Sequence, residues 1–322
     1  MDLKPYISVI KKVLSIFIFT FSFIPSNGQQ MPFYPLSYRV FDPFIFNPAI
    51  AGSKDFFDVD LLLSKYDKSY SQMVSGNLRL IKSKRNYYSS SGFREFKNIG
   101  LGGSIFNDQN GLNRNIGIIA TGAYHFQLDK NALSFLSVGI SAKAVSNHYS
   151  GEPDQNKPAK NTIFPNFDAG VYYYSTHLFT GVSATNLLGN PGHPDNLGLY
   201  AIPVSRQLFF QIGYKIVLSR TLNVLLEPSV ICNSDDSFSG EVSDMIKPEL
   251  KLYADNIVIG TYFNDYEKTS FFFQYRYPKF HFGAYFEFPN DSPFYKNPLL
   301  IEVSLGLNLS VIKSEIRSLN HW

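Results

Sequence analysis

The sequence is poor in charged residues and in cysteine, and each shortage excludes a class of protein. Charged residues make up only 17% of the 322 residues, and the formal net charge of +3 is too small to indicate a nucleic-acid-binding protein. The single cysteine, Cys232, excludes an intramolecular disulfide and every metal motif built from several cysteines.

Catalytic and metal-binding motifs are also missing. There is no Gly-x-Ser-x-Gly motif, and no two of the six histidines have the spacing of a helical zinc site. The "GLGG" stretch at 100–103 is followed by no predicted helix, so it is not a dinucleotide-binding loop. The "NDQNG" stretch at 107–111 lacks the acidic ligands and closing glutamate of a calcium loop. The sequence therefore predicts no enzyme, no cofactor and no bound metal.

Long apolar runs are absent. The longest, Val13 to Ile24, has 12 residues, whereas a membrane-spanning helix needs roughly 20. Basic residues precede this run, and small residues follow it up to Gly28. That order is typical of a secretory signal peptide, which we predict at 1–28, with a mature chain that begins near Gln29.

The mature sequence instead alternates in hydrophobicity with a period of two. In "NPLLIEVSLGLNLS", Ile301, Val303, Leu305 and Leu307 alternate with polar or small residues. "IGIIATGAYHFQL" and "FHFGAYFEF" show the same pattern, and no helical periodicity accompanies it. Such alternation predicts strands whose two faces meet different solvents.

These patterns predict an all-β protein, a transmembrane outer-membrane β-barrel of about fourteen antiparallel strands. The predicted strands are 56–66, 70–81, 97–107, 114–127, 132–145, 166–174, 177–185, 206–218, 221–231, 247–254, 256–264, 269–277, 279–288 and 299–310. Many are close to the 9–11 residues that cross a bilayer as tilted strands. Residues 56–322 are predicted to form the barrel, and 29–55 an N-terminal lead-in or plug.

The predicted connections alternate between tight and long, as expected for short periplasmic turns and longer outer loops. The long connections include 146–165 and 186–205, and "NDQNG" is predicted to close a hairpin, because Asn and Gly tolerate positive φ. The predicted inward-facing charges either line a pore or fill a plugged lumen as ion pairs. These charges are Asp58, Asp60, Arg79, Asp168, Lys215 and Glu227.

Several stretches in order resemble the PorP/SprF family of the Bacteroidetes type IX secretion and gliding machinery. They are "FNPAIAG" at 46–52, with Ile50 where an aromatic residue is usual, "FNDQNG" at 106–111, "PNFDAGVYYYS" at 165–175, "GVSATNLLGNP" at 181–191, "SRQLFFQIGY" at 205–214, "LLEPSVI" at 225–231 and "IVIGTYFND" at 257–265. The family-motif positions are Asn47, Pro48, Ala49, Gly52, Asn107, Asp108, Gln109, Asn110, Gly111, Asp168 and Gly170. The resemblance covers nearly the whole mature chain.

The resemblance implies a non-catalytic protein of the bacterial outer membrane that works with the type IX apparatus. Some family members serve general secretion, and others pair with one secreted cell-surface adhesin. The expected partners are therefore type IX components, an adhesin and outer-membrane lipid, with no nucleic acid. The alternative is a FadL-like channel for small hydrophobic molecules, which shares the strand number but needs a longer N-terminal hatch than residues 29–55 readily give. For the "FNPAIAG" stretch, a periplasmic lead-in, a plug in the lumen and a contact for partner proteins all remain open.

Overall fold

A computed structural model describes most of the chain. The described ranges are 38–54, 57–66, 69–81, 96–129, 133–150, 160–189, 206–235, 245–265, 268–277, 279–289 and 300–309. The predicted signal peptide at 1–28 and residues 82–95, which join the second and third predicted strands, lie outside them. None of the described helices is long and apolar enough to cross a membrane.

Fifteen strand segments form one antiparallel sheet. They are β1 (Asp58–Tyr66), β2 (Ser69–Ile81), β3 (Phe96–Asn110), β4 (Asn113–Asp129), β5 (Ser134–Tyr149), β6 (Lys160–Tyr174), β7 (Leu178–Thr185), β8 (Gln207–Tyr214), β9 (Ile216–Ser219), β10 (Val224–Asp235), β11 (Ile246–Ala254), β12 (Ile257–Asp265), β13 (Lys268–Arg276), β14 (Phe280–Pro289) and β15 (Leu300–Asn308).

The sheet closes on itself because β15 pairs with β1, from Asp58 opposite Asn308 to Lys65 opposite Ile301. Segments β8 and β9 pair in continuous register with β10 and act as one interrupted strand. The wall is therefore a closed barrel of fourteen strands, which confirms the predicted fold class and strand number. Closure leaves the sheet without the two free sides that an open sheet would expose to lipid.

The interruption between β8 and β9 has a cause in the neighbouring strand. Pro228 of β10 lies opposite Tyr214, at the end of β8. Proline has no N–H to donate, so one ladder hydrogen bond cannot form at this point. On the other side, Lys215, between the two segments, donates its backbone N–H to His177 O across 2.7 Å, which continues the β7–β8 register.

The two faces of the wall differ as the alternation predicts. Large apolar side chains such as Ile105, Ile118 and Leu305 are exposed on the outer face. Their neighbours in the strands, such as Ser104, Thr121 and Ser304, are buried on the inner face. An apolar exterior with a polar interior is the arrangement of an outer-membrane barrel.

The hairpin prediction for "NDQNG" is wrong in its bounds. Asn107, Asp108, Gln109 and Asn110 continue β3, and the turn itself consists of Gly111 and Leu112. Gly111 has φ +58°, the left-handed conformation that a tight hairpin turn requires. The polar residues were misassigned because strands that extend beyond the lipid need no apolar face.

The predicted loop 146–165 is also wrong in its bounds, because β5 runs to Tyr149 and β6 begins at Lys160. Pro165 indicated a loop in the sequence. In the structure it lies within β6, in the part that pairs with β5 on one side and with no strand on the other. Proline is tolerated there because its missing N–H would point toward the unpaired side.

An inner segment, residues 38–54, lies inside the barrel. It contains a short helix, α1 (Tyr38–Phe41), and two 3-10 helices, Pro43–Ile45 and Pro48–Ile50. Both 3-10 helices begin with proline, whose fixed φ suits a first helical position. The Pro and Gly of "FNPAIAG" argue against regular structure at 46–52, a prediction that is wrong for the turn at Pro48–Ile50.

Candidate functional site

The candidate site is the contact between the inner segment and the wall, near the end of the barrel that carries the tight turns. A set of glycines faces inward where the segment passes. Side chains built on them would collide with the segment: Gly100 with Ala51, Gly139 with Pro48 and Ala49, Gly170 with Asn47, and Gly283 with Phe41. At Gly100 and Gly139 the obstacle is backbone, which cannot rotate away, whereas at Gly170 and Gly283 it is the side chain of Asn47 or Phe41.

Asn47 is the most constrained side chain of the segment and is 1% exposed. Its Oδ1 accepts the backbone N–H of Ala49 at 3.1 Å, which caps the second 3-10 helix. Its Nδ2 donates to Val171 O of β6 at 3.4 Å. A side chain on Gly170 or Gly181 would meet this amide. The structure thus brings together two family motifs, Asn47 of "FNPAIAG" and Gly170 of "PNFDAG".

Backbone groups of the segment are bound by buried wall side chains. Ser183 of β7 donates to Phe46 O at 2.6 Å. His125 of β4 lies 2.9 Å from Ala51 O through Nε2 and 3.0 Å from the Tyr174 hydroxyl through Nδ1. Gly52 N–H donates to Asn77 Oδ1 of β2 at 2.7 Å. Buried backbone groups need such partners, so these side chains fix the path of the segment.

Apolar packing adds to these hydrogen bonds. Phe44 and Phe46 are 1% and 2% exposed, and Phe46 packs against Phe209 of β8 with ring centroids 5.5 Å apart. A side chain on Gly102 would come within 3.0 Å of Phe44. The segment therefore contacts nine strands: β1 through Lys54, β2 to β8, and β14 through Phe41. Much of the buried apolar cluster is formed around it.

An acidic group lies at the start of the segment. Asp42 Oδ2 accepts a hydrogen bond from Ser75 Oγ at 2.7 Å. Burial, followed by the nearby carboxylates of Asp60 and Asp58, raises the pKa of the Asp42 carboxyl well above its ordinary value. Lys54 at the end of the segment lies 3.3 Å from Asp58 Oδ2, and the His281 ring contacts the Asp60 carboxylate.

The inward-facing charges predicted from the sequence are mostly buried. Asp58, Asp60, Arg79, Asp168 and Glu227 are all less than 10% exposed. Several acids pair with lysines: Asp168 Oδ1 with Lys143 Nζ at 2.7 Å, and Glu227 and Glu249 with Lys251 at 3.6 and 3.0 Å. Each of these buried acids on the inner surface of the wall therefore has a lysine that compensates its charge.

The remaining motif positions lie away from the inner segment. Asp168 Oδ1 also accepts the backbone N–H of Asn186 at 2.8 Å, which ties the turn after β7 to β6. Asp108 accepts a hydrogen bond from Ser71 on the inner face of β3, near the end of the barrel with the longer connections. Asn107 and Gln109 face outward at the same end. The motif positions thus lie in three places. Asn47, Pro48, Ala49, Gly52 and Gly170 lie where the segment meets the wall, Asp168 lies beside the turn after β7, and residues 107–111 lie at the end with the longer connections.

Sequence reasoning missed the wall residues that hold the segment. His125 and Asn77 belong to no recognisable motif, Ser183 lies in the "GVSATNLLGNP" stretch but was not selected, and each bonds to backbone rather than to a charged group. The inward glycines were the only available signal, because glycine in a strand marks close approach of another chain segment. Among the described residues, no group of three His, Cys, Asp or Glu side chains could hold a metal ion.

A family model for the type IX secretion system membrane protein PorP/SprF matches residues 27–307. The chain belongs to the PorP/SprF family. The match includes the inner segment and every strand of the barrel except the last residue of β15. This PorP/SprF protein is accordingly a membrane component of the type IX secretion system, located in the bacterial outer membrane. No curated protein matches the chain.

Solved outer-membrane structures are similar at low sequence identity. A KdgM porin is 8% identical, with a TM-score of 0.36, 79% of this chain covered and 99% of that one. Omp33 of Acinetobacter baumannii is 11% identical, with a TM-score of 0.33, 80% of this chain covered and 100% of that one. BamA from Haemophilus ducreyi is 11% identical, with a TM-score of 0.36, 80% of this chain covered and 71% of that one.

Proposed function

We propose that this PorP/SprF protein acts by binding, not by catalysis or conduction. It holds a secreted cell-surface adhesin at the outer membrane, contacts the periplasmic machinery of type IX secretion, or does both. The observation that carries the proposal is the inner segment, which contacts nine strands of the wall through hydrogen bonds, an ion pair and apolar packing. A lumen crossed by such a segment favours a rigid binding scaffold over a channel.

The orientation of the barrel in the membrane determines which contacts lie in the periplasm and which lie outside the cell. We place the end of the barrel with the β6–β7 and β9–β10 turns in the periplasm, and the end with the longer connections and the short β3–β4 turn outside the cell, as in other bacterial outer-membrane barrels. The inner segment then lies toward the periplasm, where "FNPAIAG" is close to machinery components and acts as a plug. The outer connections are carried by a rigid wall, which is where binding surfaces commonly occur.

The test is deletion of the gene, with the wild-type gene returned as the control. Cell-surface proteomics and protease shaving of intact cells measure the display of type IX cargo proteins. We expect one or a few cargo proteins to disappear from the surface and to return on complementation. Protein purified from membranes is expected to carry the same cargo or a periplasmic component with it.

The same strain and the purified protein also test the channel alternative. Liposomes that contain the purified barrel are expected not to swell faster than empty liposomes when a small solute is added. Normal display of every cargo together with lost uptake of a small solute would replace the binding function with a FadL-like transport function.

A further inference from the structure

Strand β6 pairs with its two neighbouring strands over different lengths. Strand β5 pairs with β6 along its whole length, residues 160–174, but β7 pairs with residues 169–174 alone. Residues 160–168 therefore have no strand on the β7 side. Among the described strands this is the longest unpaired edge.

The backbone groups on this edge follow from the pairing nearby. Ser175 N–H donates to Leu178 O, so the odd-numbered residues of β6 direct their N–H and C=O groups toward β7. The lower part of the edge is closed. Phe167 O accepts the N–H of Leu187 at 2.9 Å, and Phe167 N–H donates to the Asn166 side chain at 2.9 Å.

Above Phe167 none of the described residues pairs with the edge. Pro165 contributes a C=O but no N–H, while Asn161 and Ile163 each direct an N–H and a C=O outward from the edge. These five groups extend over residues 161–165, about 15 Å of extended chain. A regular row of this kind is matched by another extended backbone, which is why free strand edges are templates for strand addition.

The side chains beside the edge indicate the kind of strand that fits. Ile163 is 70% exposed and Phe167 49% exposed, both on the outer face. Phe164 and Asn166 are 8% and 3% exposed on the inner face. Side chains directly across a strand pair interact, so a strand with apolar residues on its outer face would cover Ile163 and Phe167.

The edge lies where the membrane surface meets water. A row of outward-facing polar side chains crosses β2 to β6 at this level. Asn107 Nδ2 donates to Gln72 Oε1 at 3.4 Å, Arg114 Nε donates to Asn107 Oδ1 at 2.8 Å, and His148 Nδ1 lies 2.5 Å from Asn161 Oδ1. Exposed apolar side chains such as Ile118 lie below this row. The open edge is therefore accessible to a protein outside the lipid.

A second copy of the barrel does not fit this edge. Barrels in one membrane share their orientation and are related by an axis along the membrane normal. Strands of outer-membrane barrels tilt by about 35–45°, so two β6 edges brought together would cross at about 70–90°. Crossed strands cannot form a ladder, because the hydrogen bonds of a ladder need aligned backbones.

We propose that the edge of β6 at 160–166 binds the exported surface protein by addition of one strand of that protein to the barrel wall. This inference rests on the proposed function and on the outward orientation of the longer connections. The bound strand is extended, has apolar residues on its outer face, and contributes backbone N–H and C=O groups to the five groups of the edge.

The first experiment places a photo-crosslinking amino acid, p-benzoylphenylalanine, at Ile163 in living cells. Ile140 of β5 is the matched control, since it is also 70% exposed on the outer face but lies in a fully paired strand. We expect Ile163 to give an adduct that mass spectrometry identifies as a surface protein lost in the deletion strain, and Ile140 to give none. The same adduct yield at both positions, or an adduct at neither, overturns the inference.

The second experiment removes one free N–H with Ile163→Pro, and Ile163→Ala is the control that shortens the side chain but keeps the N–H. Ile163→Pro breaks no ladder bond to β5, and heat-modified gel migration reports whether the barrel has assembled. We expect Ile163→Pro to reduce the amount of surface protein retained on cells by about tenfold, and Ile163→Ala to reduce it less. Ile163→Lys, which places a charge beside the edge, is a second variant with the same expected direction.

The outcomes separate this inference from the proposed function. If the deletion strain loses the surface protein but assembled Ile163→Pro and Ile163→Lys barrels retain all of it, the edge is not the binding surface and the function stands. If the deletion strain also retains it, the proposed function itself fails.

Discussion

Single residues decide whether the inner segment fits inside the barrel, because several of the wall residues that face it are glycines. At Gly139 an added side chain would collide with backbone atoms of Pro48 and Ala49. Backbone cannot rotate away as a long side chain can, so the segment or the strand would have to shift. At Gly122, in the adjacent strand β4, an added side chain would meet nothing within 4 Å.

We therefore expect Gly139→Ala to destabilise the barrel by about 1–3 kcal/mol, as overpacking of a tight contact does. Its unfolding midpoint in urea should fall, and a protease should cut the inner segment faster than in the wild-type protein. Gly122→Ala is the control and should change neither measurement. Equal effects of the two substitutions would contradict the contact between the segment and β5.

Outward-facing residues give a separate prediction. Leu305 lies in the middle of β15 and is 47% exposed on the apolar outer face. Leu305→Arg should destabilise the barrel in bilayers by about 2–4 kcal/mol if the residue lies near the midplane. Leu305→Met, which keeps the apolar character, should cost less than about 1.5 kcal/mol. Unfolding titrations of the two variants in lipid vesicles measure the difference, and a similar stability for both would place Leu305 away from lipid.

At the scale of elements, the strands were predictable and some of their ends were not. A period of two fixes the face of each side chain wherever lipid lies on one side, as in β4 and β15. The pattern disappears where strands extend into water, so β3 was predicted to end before the polar residues at 108–110. The proline at 165 also gave a wrong loop prediction, because a single sequence does not reveal that one side of β6 has no paired strand there.

The inner segment was not predictable in the same way. Its sequence, "FNPAIAG", has too few residues for any periodicity, and its conformation depends on wall residues more than 100 positions later, such as Val171 and Ser183. The family resemblance selected Asn47 and Gly170 as motif positions, but their contact with each other was visible only in the structure.

Asn47→Ala tests the hydrogen bonds of this element. The substitution leaves the buried Ala49 N–H without its cap and removes the Asn47 amide from the Val171 carbonyl, which stays in the β6–β7 ladder opposite Val182. We expect a loss of about 1–3 kcal/mol in the free energy of unfolding and faster proteolysis of the segment. Asn110→Ala, at an exposed amide of β3, is the control and should stay within about 0.5 kcal/mol of wild type. A wild-type stability for Asn47→Ala would mean that packing alone holds the segment.

For the whole molecule, the direction of the barrel in the membrane follows from its connections. After Cys232→Ser, single cysteines at Leu112 and Thr221 report on opposite ends of the wall, since Leu112 lies in the β3–β4 turn and Thr221 in the β9–β10 turn. A membrane-impermeant maleimide should label the cysteine at 112 in intact cells, and the cysteine at 221 only after the outer membrane is permeabilised. Labelling in the reverse order would show that the barrel is inverted.

The path of the inner segment also sets the order in which the chain reaches its final structure. The segment precedes β1 and is synthesised before every strand that binds it. Ser183, which binds Phe46, follows 137 residues later, and the closing contact between Ser64 and Glu302 spans 238 residues. Contacts this distant along the chain form late. The residues that enter the periplasm ahead of the barrel are therefore among the last to be fixed, and an assembly intermediate that stops before β7 lacks the hydrogen bond from the Ser183 hydroxyl to the Phe46 carbonyl.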